Sequence, residues 1–569
     1  MPQDAEDRTT HDSETTTGRT PRLPAAPTTT DASRGTDAAD LLLSVRDLRV
    51  AFGDREVLHG VDLDVRRGER VAIVGQSGSG KSTLIAALLR LLPGAGHITG
   101  GEITLGADDV AHADEPLMRR VRGGRIGLVP QDPSTNLNPS MRVGAQIADA
   151  LRAGGLRGRS AVRRRVVELM TEAGIPEAAR RADQYPHEFS GGMRQRILIA
   201  VALARQPELL IADEPTSALD VTVQRQILDH LQTLVDQHGT TLLFVTHDLG
   251  VAADRTDRVV VMLDGEIVEQ GAPGAILRDP QHEYTKRLIA AAPALSGVAP
   301  EPTTTGEPIL VVSDLVKEYR LRGRGAGTLR AVDGVSFTVR RGTTTAVVGE
   351  SGSGKTTVAR IVLGLETPTS GSALVDGHDV GTARGAERRA VRRRVQPVFQ
   401  DPYGSLDPTS TIERIIDEPL RVFGIGDRAS RTERVCTLLE QVALPREVAQ
   451  LRPNELSGGQ RQRVAIARAL ALEPELLILD EAVSALDVLV QEQVLTLLDE
   501  LQDRLGLSYL FITHDLGVVR RIADDVVVMR RGEVVERGTV AAVFDDPQQQ
   551  YTKDLLDAIP GRSLAEAAA

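Results

Sequence analysis

The 569-residue sequence contains a single cysteine and no long hydrophobic run. Cys436 alone cannot form a disulfide within the chain or assemble a cysteine-based zinc or iron–sulfur site. No stretch approaches the roughly 20 apolar residues that span a bilayer, and the nearest one, Leu84–Leu92, contains Arg90. Residues 1–40 are acidic and rich in threonine, without the apolar segment of a secretory signal. We therefore expect a chain that stays in the cytoplasm.

Positive charge, and lysine in particular, is scarce. The 67 Lys and Arg residues face 79 Asp and Glu, which gives a net charge of −12. Because a polyanion would be repelled at long range, we expect no nucleic-acid partner. Lysine occurs at only five positions. Where arginine is used almost everywhere else, a retained lysine marks a site that arginine does not serve, and Lys81 and Lys355 both lie in glycine-rich motifs.

An internal repeat is the dominant feature of the sequence. Ser190-Gly191-Gly192 recurs as Ser457-Gly458-Gly459, and Thr246-His247-Asp248-Leu249-Gly250 recurs as Thr513-His514-Asp515-Leu516-Gly517, each at an offset of 267 residues. The two glycine-rich lysines are 274 residues apart, so the second copy carries seven extra residues before Lys355, around 322–328. A period of this length indicates two copies of a whole domain.

Composition places the boundaries of these domains. Thr-, Pro- and Ala-rich segments predict a disordered tail over 1–40 and a linker over 293–308. The domains are then 41–292 and 309–560, followed by a short tail over 561–569. Uniformly apolar runs such as Leu209–Ala212 and Thr241–Val245 are typical of buried parallel strands. The predicted fold is α/β with a mainly parallel central sheet, and with a helical insertion over about 140–188.

Each copy contains a phosphate-loop pattern between an apolar strand and a helix. Gly75 to Ser82 and Gly349 to Thr356 both fit G-x-x-x-x-G-K-[ST]. Glycines allow successive backbone N–H groups to face phosphate oxygens, and the helix N-terminus adds positive potential. The lysines reach the β- and γ-phosphates, and the Ser or Thr hydroxyl reaches Mg²⁺. The candidate ATP-binding residues of these loops are Gly75, Ser77, Gly78, Gly80, Lys81, Ser82, Thr83, Gly349, Ser351, Gly352, Gly354, Lys355, Thr356 and Thr357.

A second pattern places two acids at the end of an apolar strand, Asp213-Glu214 in the first copy and Asp480-Glu481 in the second. Adjacent carboxylates repel one another unless a cation or a catalytic role compensates. We expect Asp213 and Asp480 to bind the Mg²⁺ shell, directly or through water. Glu214 and Glu481 are expected to orient or deprotonate the attacking water. Two exposed acids after a strand would be the ordinary reading of such a pair in isolation.

A third pattern, Ser-Gly-Gly, opens an apparent helix in each copy and forms another anion-receiving N-terminus. One phosphate loop per domain is already present, so this second site makes sense if it closes over nucleotide that the other domain holds. The candidate residues are Ser190, Gly191, Gly192, Ser457, Gly458, Gly459 and Gln460.

The ordered set of motifs, completed by Ser-Ala-Leu-Asp at 217–220 and 484–487, resembles the ABC ATPases over about 41–560. The resemblance implies two tandem P-loop domains, each with a mainly parallel core sheet, an antiparallel β subdomain and a helical subdomain. It also implies a pseudo-dimer that sandwiches two ATP molecules head to tail, with Lys81 and Glu214 facing Ser457 and with Lys355 and Glu481 facing Ser190.

Further site residues follow from this resemblance. Gln131 and Gln400 match the glutamine that senses Mg²⁺ and the transmembrane partner, and His247 and His514 match the switch histidine near the γ-phosphate. Phe52 and Tyr319, again 267 residues apart, match the aromatic residue that stacks on adenine. The implied cofactors are ATP and Mg²⁺, with Mg²⁺ contacts from Ser82, Gln131, Asp213, Thr356, Gln400 and Asp480.

Two late segments narrow the family. Asp279-Pro280-Gln281-His282-Glu283-Tyr284-Thr285-Lys286 recurs as Asp546-Pro547-Gln548-Gln549-Gln550-Tyr551-Thr552-Lys553, and this element resembles the oligopeptide, dipeptide and nickel importers. The resemblance implies two permease subunits, an extracytoplasmic solute-binding protein and a peripheral position on the cytoplasmic face of the membrane. An exporter ATPase or a soluble tandem protein acting on ribosomes are the alternatives, although the Pro-rich linker is short for the latter.

Overall fold

The computed structural model describes residues 40–216, 219–292, 306–320 and 327–561. The N-terminal tail, most of the linker, the Ser217-Ala218 pair and most of the insertion near 322–328 lie outside the described residues, as do residues 562–569. The first strand of the second half begins at Pro308, one residue inside the segment assigned to the linker.

The strands of the two halves follow one plan. In the first half they are β1 Leu41–Phe52, β2 Arg55–Arg66, β3 Arg70–Val74, β4 Gly96–Leu105, β5 Asp108–Asp109, β6 Ile126–Val129, β7 Leu209–Asp213, β8 Thr241–Thr246, β9 Arg258–Leu263 and β10 Glu266–Gly271. In the second half they are β11 Pro308–Arg320, β12 Thr328–Arg340, β13 Thr344–Val348, β14 Ser370–Val375, β15 His378–Asp379, β16 Val395–Val398, β17 Leu476–Asp480, β18 Ser508–Thr513, β19 Asp525–Arg530 and β20 Glu533–Thr539.

The α-helices also correspond between halves. Those of the first half are Lys81–Leu88, Glu115–Arg120, Pro133–Asn136, Val143–Ala153, Arg159–Glu172, Ala178–Arg181, Gly191–Leu203, Val221–His238, Leu249–Arg255, Pro273–Arg278 and Glu283–Ala291. Those of the second half are Lys355–Val362, Gly385–Arg394, Pro402–Ser405, Ile412–Phe423, Arg428–Gln441, Gly458–Leu470, Val488–Leu505, Leu516–Ile522, Val540–Asp545 and Gln550–Asp557.

Each half contains two sheets. In the six-stranded sheet of the first half the order is β10-β9-β3-β8-β7-β6, with parallel pairing from β9 to β6 and antiparallel pairing at the β10 edge. The four-stranded sheet has the antiparallel order β2-β1-β4-β5. The second half repeats both sheets. The predicted parallel core is confirmed, and the antiparallel and helical subdomains implied by the resemblance are present.

The central strands are buried on both faces, as their apolar runs predict. Ile73, Ile211 and Val245 are fully buried on β3, β7 and β8. Parallel strands have helices on both sides, so such strands lack the alternation of a half-exposed sheet. The helices between Val143 and Leu203 have a separate core that includes Ile147, Val166 and Ile197. The predicted helical insertion is confirmed.

The two halves touch through their late helices. Glu283–Ala291 of the first half packs against Val488–Leu505 of the second, and Gln550–Asp557 packs in the mirrored way against Val221–His238. Within the described ranges, no helix has the length and apolar character that a membrane span requires.

Candidate functional site

The phosphate loops join a buried strand to a helix in both halves. The helices begin at Lys81 and Lys355, after glycines in the left-handed conformation, Gly80 with φ 101° and Gly354 with φ 106°. Neither helix start carries a side-chain cap. The first-turn N–H groups therefore face the loop, where they suit an anion.

The loops approach their neighbours too closely for a larger residue at the first glycine. A Cβ on Gly75 would lie 2.3 Å from the carbonyl oxygen of Met262, and one on Gly349 would lie 2.1 Å from that of Met529. Glycine at these two positions is therefore required by backbone contact with strands β9 and β19 as well as by the turn.

The two loop lysines are buried and point back along their own loops. Lys81 Nζ donates to the carbonyl oxygens of Gly75 at 2.6 Å and Gln76 at 2.9 Å. Lys355 does the same to Gly349 at 2.6 Å and Glu350 at 2.8 Å. Burial lowers the pKa of both lysines, while nearby carboxylates oppose that shift. A compact ammonium group is thus held at the base of an anion cradle.

The acid at the end of each core strand is held by the glutamine and the histidine that the sequence singled out. Gln131 Nε2 donates to Glu214 Oε2 at 2.8 Å, and His247 Nδ1 lies 3.3 Å from Glu214 Oε1. In the second half Gln400 Nε2 donates to Glu481 Oε2 at 2.5 Å, and His514 Nδ1 lies 3.3 Å from Glu481 Oε1.

Both glutamates occupy a backbone conformation that is uncommon for residues with a side chain. Glu214 has φ 42° and Glu481 has φ 49°. Such residues cluster at functional sites, where the surrounding structure imposes the turn. The turn directs these two carboxylates toward the glutamine and histidine of the same half.

The adjacent acids differ in their protonation. Burial, followed by the neighbouring Glu214 charge, raises the pKa of Asp213 to about 6, and burial with Glu481 does the same for Asp480. Burial also opposes ionisation of Glu214 and Glu481, but contacts with His247 and His514 outweigh it and lower the pKa of both glutamates. The glutamate is therefore the ionised member of each pair at neutral pH, and its neighbour is the one that a cation would stabilise.

The Ser-Gly-Gly segments begin helices as predicted, at Gly191 and Gly458, with Ser190 and Ser457 as exposed N-caps. Ser457 Oγ accepts from Gln460 N–H at 3.3 Å, and Gln460 Oε1 accepts from Ser457 N–H at 2.9 Å. Ser190 Oγ accepts from Met193 N–H at 3.4 Å, but a methionine side chain cannot complete the reciprocal bond.

The second glycine of each segment packs directly on the following helix of its own half. A Cβ on Gly192 would lie 2.6 Å from Val223 Cγ1, and one on Gly459 would lie 2.3 Å from Val490 Cγ1. Close packing of backbone on side chain explains a glycine here in addition to any contact with phosphate.

One cavity of about 650 Å³ brings the candidate residues of the first half together with a segment of the second. The second half contributes Ser484, Ala485, Leu486 and Asp487, and Asp487 acts electrostatically on Lys81. The first half contributes Phe52, Ser77, Gly78, Gly80, Lys81, Ser82, Thr83, Gln131, Glu214 and His247. Among the described residues, Ser457 does not line this cavity, so its approach to Lys81 stays a prediction.

The second half has a smaller cavity of about 360 Å³, lined by Thr356 and Asp480 together with neighbours from the same half. Asp220 of the first half acts electrostatically on Lys355, in the mirrored position of Asp487. Tyr319 lies at the end of β11 with Lys317 Nζ 5.1 Å from its ring centroid. The Ser217-Ala218 pair that would mirror Ser484-Ala485 lies outside the described residues.

The residues around each aspartate fit a magnesium ion bound with nucleotide. Hydroxyl, carboxylate and amide oxygens are the ligands that Mg²⁺ prefers, and Ser82 with Gln131 lines the cavity at Lys81. The raised pKa of buried Asp213 and Asp480 shows carboxylates whose charge is uncompensated within the protein. The chemistry of the donor set therefore suits a divalent cation in both halves.

Sequence reasoning left three groups out of its candidate site. They are Asp487 and Asp220 near the opposite lysines, the contact from Thr222 Oγ1 to Glu350 Oε1 at 3.1 Å, and the tyrosines Tyr284 and Tyr551 beside the phosphate loops. The signal for the aspartates and tyrosines was present, since Ser-Ala-Leu-Asp and Tyr-Thr both recur at the 267-residue offset.

A family model described as ABC transporter matches residues 58–217 and again residues 332–484, which together exceed half of the chain. The chain belongs to the ABC transporter family. It is an ATP-binding protein with two ABC ATPase domains, and its activity class is ATP hydrolysis. A second model, described as the oligopeptide/dipeptide transporter C-terminal region, matches residues 268–311 and therefore includes the first Tyr-Thr element.

Two relatives of this ABC ATPase match nearly its whole length. The glutathione import ATP-binding protein GsiA of Salmonella choleraesuis (strain SC-B67) is 42% identical over 92% of this chain and 90% of its own. The peptidoglycan transport ATP-binding protein YejF of Agrobacterium fabrum is 46% identical over 91% of this chain and 96% of its own. Among solved structures, the dimeric ATP-binding cassette MJ0796 bound to ADP and Pi is 30% identical over 41% of this chain and 99% of its own, with a TM-score of 0.37.

Proposed function

We propose that this chain is the ATPase of an importer for di- or oligopeptides or a related small solute. The observation that carries the proposal is the repeated Tyr-Thr element, whose first copy lies in the segment matched to the oligopeptide/dipeptide transporter C-terminal region. Relatives named for glutathione import and peptidoglycan transport, each aligned over most of the chain, support the same solute class.

Each half would bind one ATP through its phosphate loop. The loop N–H groups and the lysine, Lys81 or Lys355, hold the β- and γ-phosphates, and Phe52 or Tyr319 stacks on adenine. Ser82 with Asp213, and Thr356 with Asp480, would hold Mg²⁺, which neutralises charge on the phosphates when bound. Gln131 and Gln400 link the metal shell to the catalytic glutamate.

Glu214 and Glu481 would then position and activate the attacking water. Their lowered pKa keeps them ionised at neutral pH, which a hydrogen-bond acceptor for water requires. His247 and His514 hold these carboxylates in the observed geometry and lie where a γ-phosphate would be sensed. The same four-part arrangement in both halves supports two competent sites.

The two sites would be composite and head to tail. Ser484–Asp487 already lies in the cavity at Lys81, and Asp220 lies near Lys355, so each half contributes to the other's site. Closure would bring Ser457 to the nucleotide at Lys81 and Ser190 to that at Lys355. Ser190, Gly191, Gly192, Ser457, Gly458, Gly459 and Gln460 would supply this second anion contact.

Partners follow from the importer assignment. Two transmembrane permease subunits would dock the chain on the cytoplasmic face of the membrane, and a solute-binding protein would deliver solute on the other side. Gln131 and Gln400 would couple ATP hydrolysis to the permease. No nucleic acid is expected as a partner because the net charge is −12.

Reconstitution tests the assignment. The chain is assayed alone and in proteoliposomes with its permease pair and binding protein, using reduced glutathione and alanyl-alanine as solutes. We expect slow hydrolysis alone, stimulation by the permease, and ATP-dependent uptake of at least one of the two probes. Full activity without a permease contradicts the coupling, outward transport favours an exporter, and nucleotide-dependent sedimentation with ribosomes favours the translation-factor alternative.

A substitution at the Ser-Gly-Gly segment tests the head-to-tail arrangement. Ser457→Arg should leave photolabelling by 8-azido-ATP on residues 41–292 intact and reduce hydrolysis at the Lys81 site, because arginine fills the space of the γ-phosphate. Ser190→Arg is the matched variant and should act on the Lys355 site. Loss of labelling only on the half that carries the substitution means that each domain closes on its own nucleotide.

A further inference from the structure

Two tyrosines lie beside the phosphate loops, although they are far from them in sequence. Tyr284 belongs to the helix Glu283–Ala291 and Tyr551 to the helix Gln550–Asp557. Both rings are buried, with 1% and 7% of the residue exposed. A buried tyrosine needs a partner for its hydroxyl, and in both halves this partner is the phosphate loop.

The contact is the same in the two halves. The N–H of Gln76, the residue after the first loop glycine, donates to Tyr284 Oη at 2.7 Å. The N–H of Glu350, at the equivalent position, donates to Tyr551 Oη at 3.2 Å. A hydroxyl is a suitable acceptor for an otherwise buried backbone donor.

Both polar groups of this loop residue are therefore held in place. While its N–H binds the tyrosine, its carbonyl oxygen accepts from the loop lysine, at 2.9 Å for Gln76 and 2.8 Å for Glu350. The preceding glycine is confined by the backbone of β9 or β19. The tyrosine thus fixes the residue at which the chain leaves its strand and turns into the phosphate cradle.

Ordering this turn before ligand arrives has a thermodynamic consequence. A glycine-rich loop has a large conformational entropy to lose, and binding is stronger when the bound conformation is already imposed. A lost hydroxyl frees the N–H of Gln76 or Glu350 while the ring can still pack. The cost should then appear in nucleotide affinity more than in the rate of the chemical step.

The same tyrosine helices also touch the opposite half. Glu283–Ala291 packs on Val488–Leu505, and Leu489 of that helix packs against the cluster that contains Tyr284 and Leu288. These contacts come two residues after Asp487, which lines the Lys81 cavity from across the interface. One helix therefore contacts its own phosphate loop at one side and the other half's helix at the other.

We propose that Tyr284 and Tyr551 are positioning residues for nucleotide binding, each fixing the phosphate loop of its own half and joining that loop to the opposite half. The inference deepens the proposed function and rests on it, because it takes the two loops to be ATP sites. It gives the repeated Tyr-Thr element a role at the nucleotide, separate from the solute that is transported.

The hydroxyl alone can be removed. Tyr284→Phe and Tyr551→Phe keep the buried ring, and each full-length variant is photolabelled with 8-azido-ATP over a concentration series, with peptide mapping to separate the two halves. A net hydrogen bond of about 0.5–1.5 kcal/mol corresponds to about a two- to tenfold change in affinity. We expect Tyr284→Phe to weaken labelling of 41–292 by that factor, and Tyr551→Phe to weaken labelling of 309–560 by a smaller one because its bond is longer.

Tyr509→Phe is the matched control. Tyr509 is fully buried in the second half, and its hydroxyl donates to the Leu498 carbonyl at 2.8 Å, with no contact to a phosphate loop. It should lower thermal stability as much as Tyr551→Phe does but leave nucleotide affinity unchanged. Steady-state kinetics provide a second measure, since KM for ATP should rise in the loop variants while kcat changes less than twofold.

The outcomes separate the two proposals. Wild-type chain that is not labelled at either loop contradicts the proposed ATP sites. Wild-type labelling at both loops with unchanged affinity in Tyr284→Phe and Tyr551→Phe overturns the inference alone. Equal weakening by Tyr509→Phe, or weakening of both halves alike by either loop variant, also overturns it, because the effect would then be one of general stability.

Discussion

The first and second halves of this chain hold the same reacting groups and differ in what surrounds them. The glutamine and histidine contacts to the catalytic glutamate are 2.8 and 3.3 Å in the first half and 2.5 and 3.3 Å in the second. The neighbouring aspartate has a pKa of about 6 in both. Duplicated chemistry on this scale requires that strand ends, turn and histidine loop be preserved together.

The differences lie where one half meets the other. Met193 replaces the residue that caps Ser457 in the second half, namely Gln460. Glu350 accepts a hydrogen bond from Thr222 across the interface, whereas the equivalents are Gln76 and the apolar Leu489. The comparison teaches that constraint on the reacting groups is stronger than constraint on the contacts that bring the halves together.

Removing the catalytic carboxylates should have the largest effect and tests whether the halves are equal. Glu214→Gln and Glu481→Gln keep the size and the hydrogen-bonding reach of the side chain but abolish its negative charge. We expect each single variant to lose the same fraction of ATPase activity. The double variant should lose at least about 100-fold and retain bound ATP, because the phosphate loops remain intact.

The measurements are steady-state hydrolysis and the nucleotide content of the purified double variant. Glu500→Gln, at an exposed position on the helix Val488–Leu505, is the control and should behave as wild type. Unequal losses in the two single variants would show that one half carries most of the hydrolysis and would break the comparison.

The buried aspartates predict a smaller effect on the pH dependence of stability. Because the pKa of Asp213 and Asp480 is raised to about 6 in the folded chain, the folded state binds more protons than the unfolded state between about pH 4 and 6. Their contribution to the free energy of unfolding is therefore lost as pH rises through 6. The melting temperature of the chain without nucleotide should show this loss.

Asp213→Asn and Asp480→Asn isolate the contribution from that of His247 and His514, whose raised pKa acts in the same direction. Each variant should flatten the melting profile between pH 5 and 7 by the same few degrees. A flattening in one variant only would show that the two acid pairs differ in burial. No change in either would contradict the raised pKa values.

The smallest predicted effect concerns the Ser-Gly-Gly caps. Met193→Gln should supply the bond to Ser190 N–H that Gln460 makes to Ser457 N–H, and should stabilise the first half by at most about 1 kcal/mol. Gln460→Met should cost a similar amount in the second half. Differential scanning calorimetry of the two variants would measure both changes, and shifts of the same sign in the two would contradict the capping difference.

Most of the fold and much of the site could be predicted from local pattern. Lys81, Glu214 and His247 were placed at one site because each follows a buried strand, and parallel strands end at a common edge. The helix starts at Gly191 and Gly458 followed from serine as an N-cap. The capping difference between Met193 and Gln460 was visible as a departure, although its consequence needed the bond to Ser457 N–H.

Other features depend on contacts between distant segments. The bond from Gln76 to Tyr284 joins residues 208 positions apart, and no local pattern specifies which buried donor a tyrosine hydroxyl meets. The same holds for Asp487 near Lys81, which comes from the other half of the chain. The repeated Ser-Ala-Leu-Asp indicated that these residues matter but not what they contact.

The sequence by itself determined the two domains, the phosphate loops and the identity of the reacting groups, because glycine spacing, strand hydrophobicity and charged residues act over a few positions of chain. Only the tertiary structure decided which carboxylate of each pair is ionised, since that follows from burial and from His247 or His514. It also decided that Ser484–Asp487 enters the first cavity and that Tyr284 and Tyr551 hold the phosphate loops. These outcomes require elements far apart in sequence to pack side by side, and packing depends on the whole chain at once.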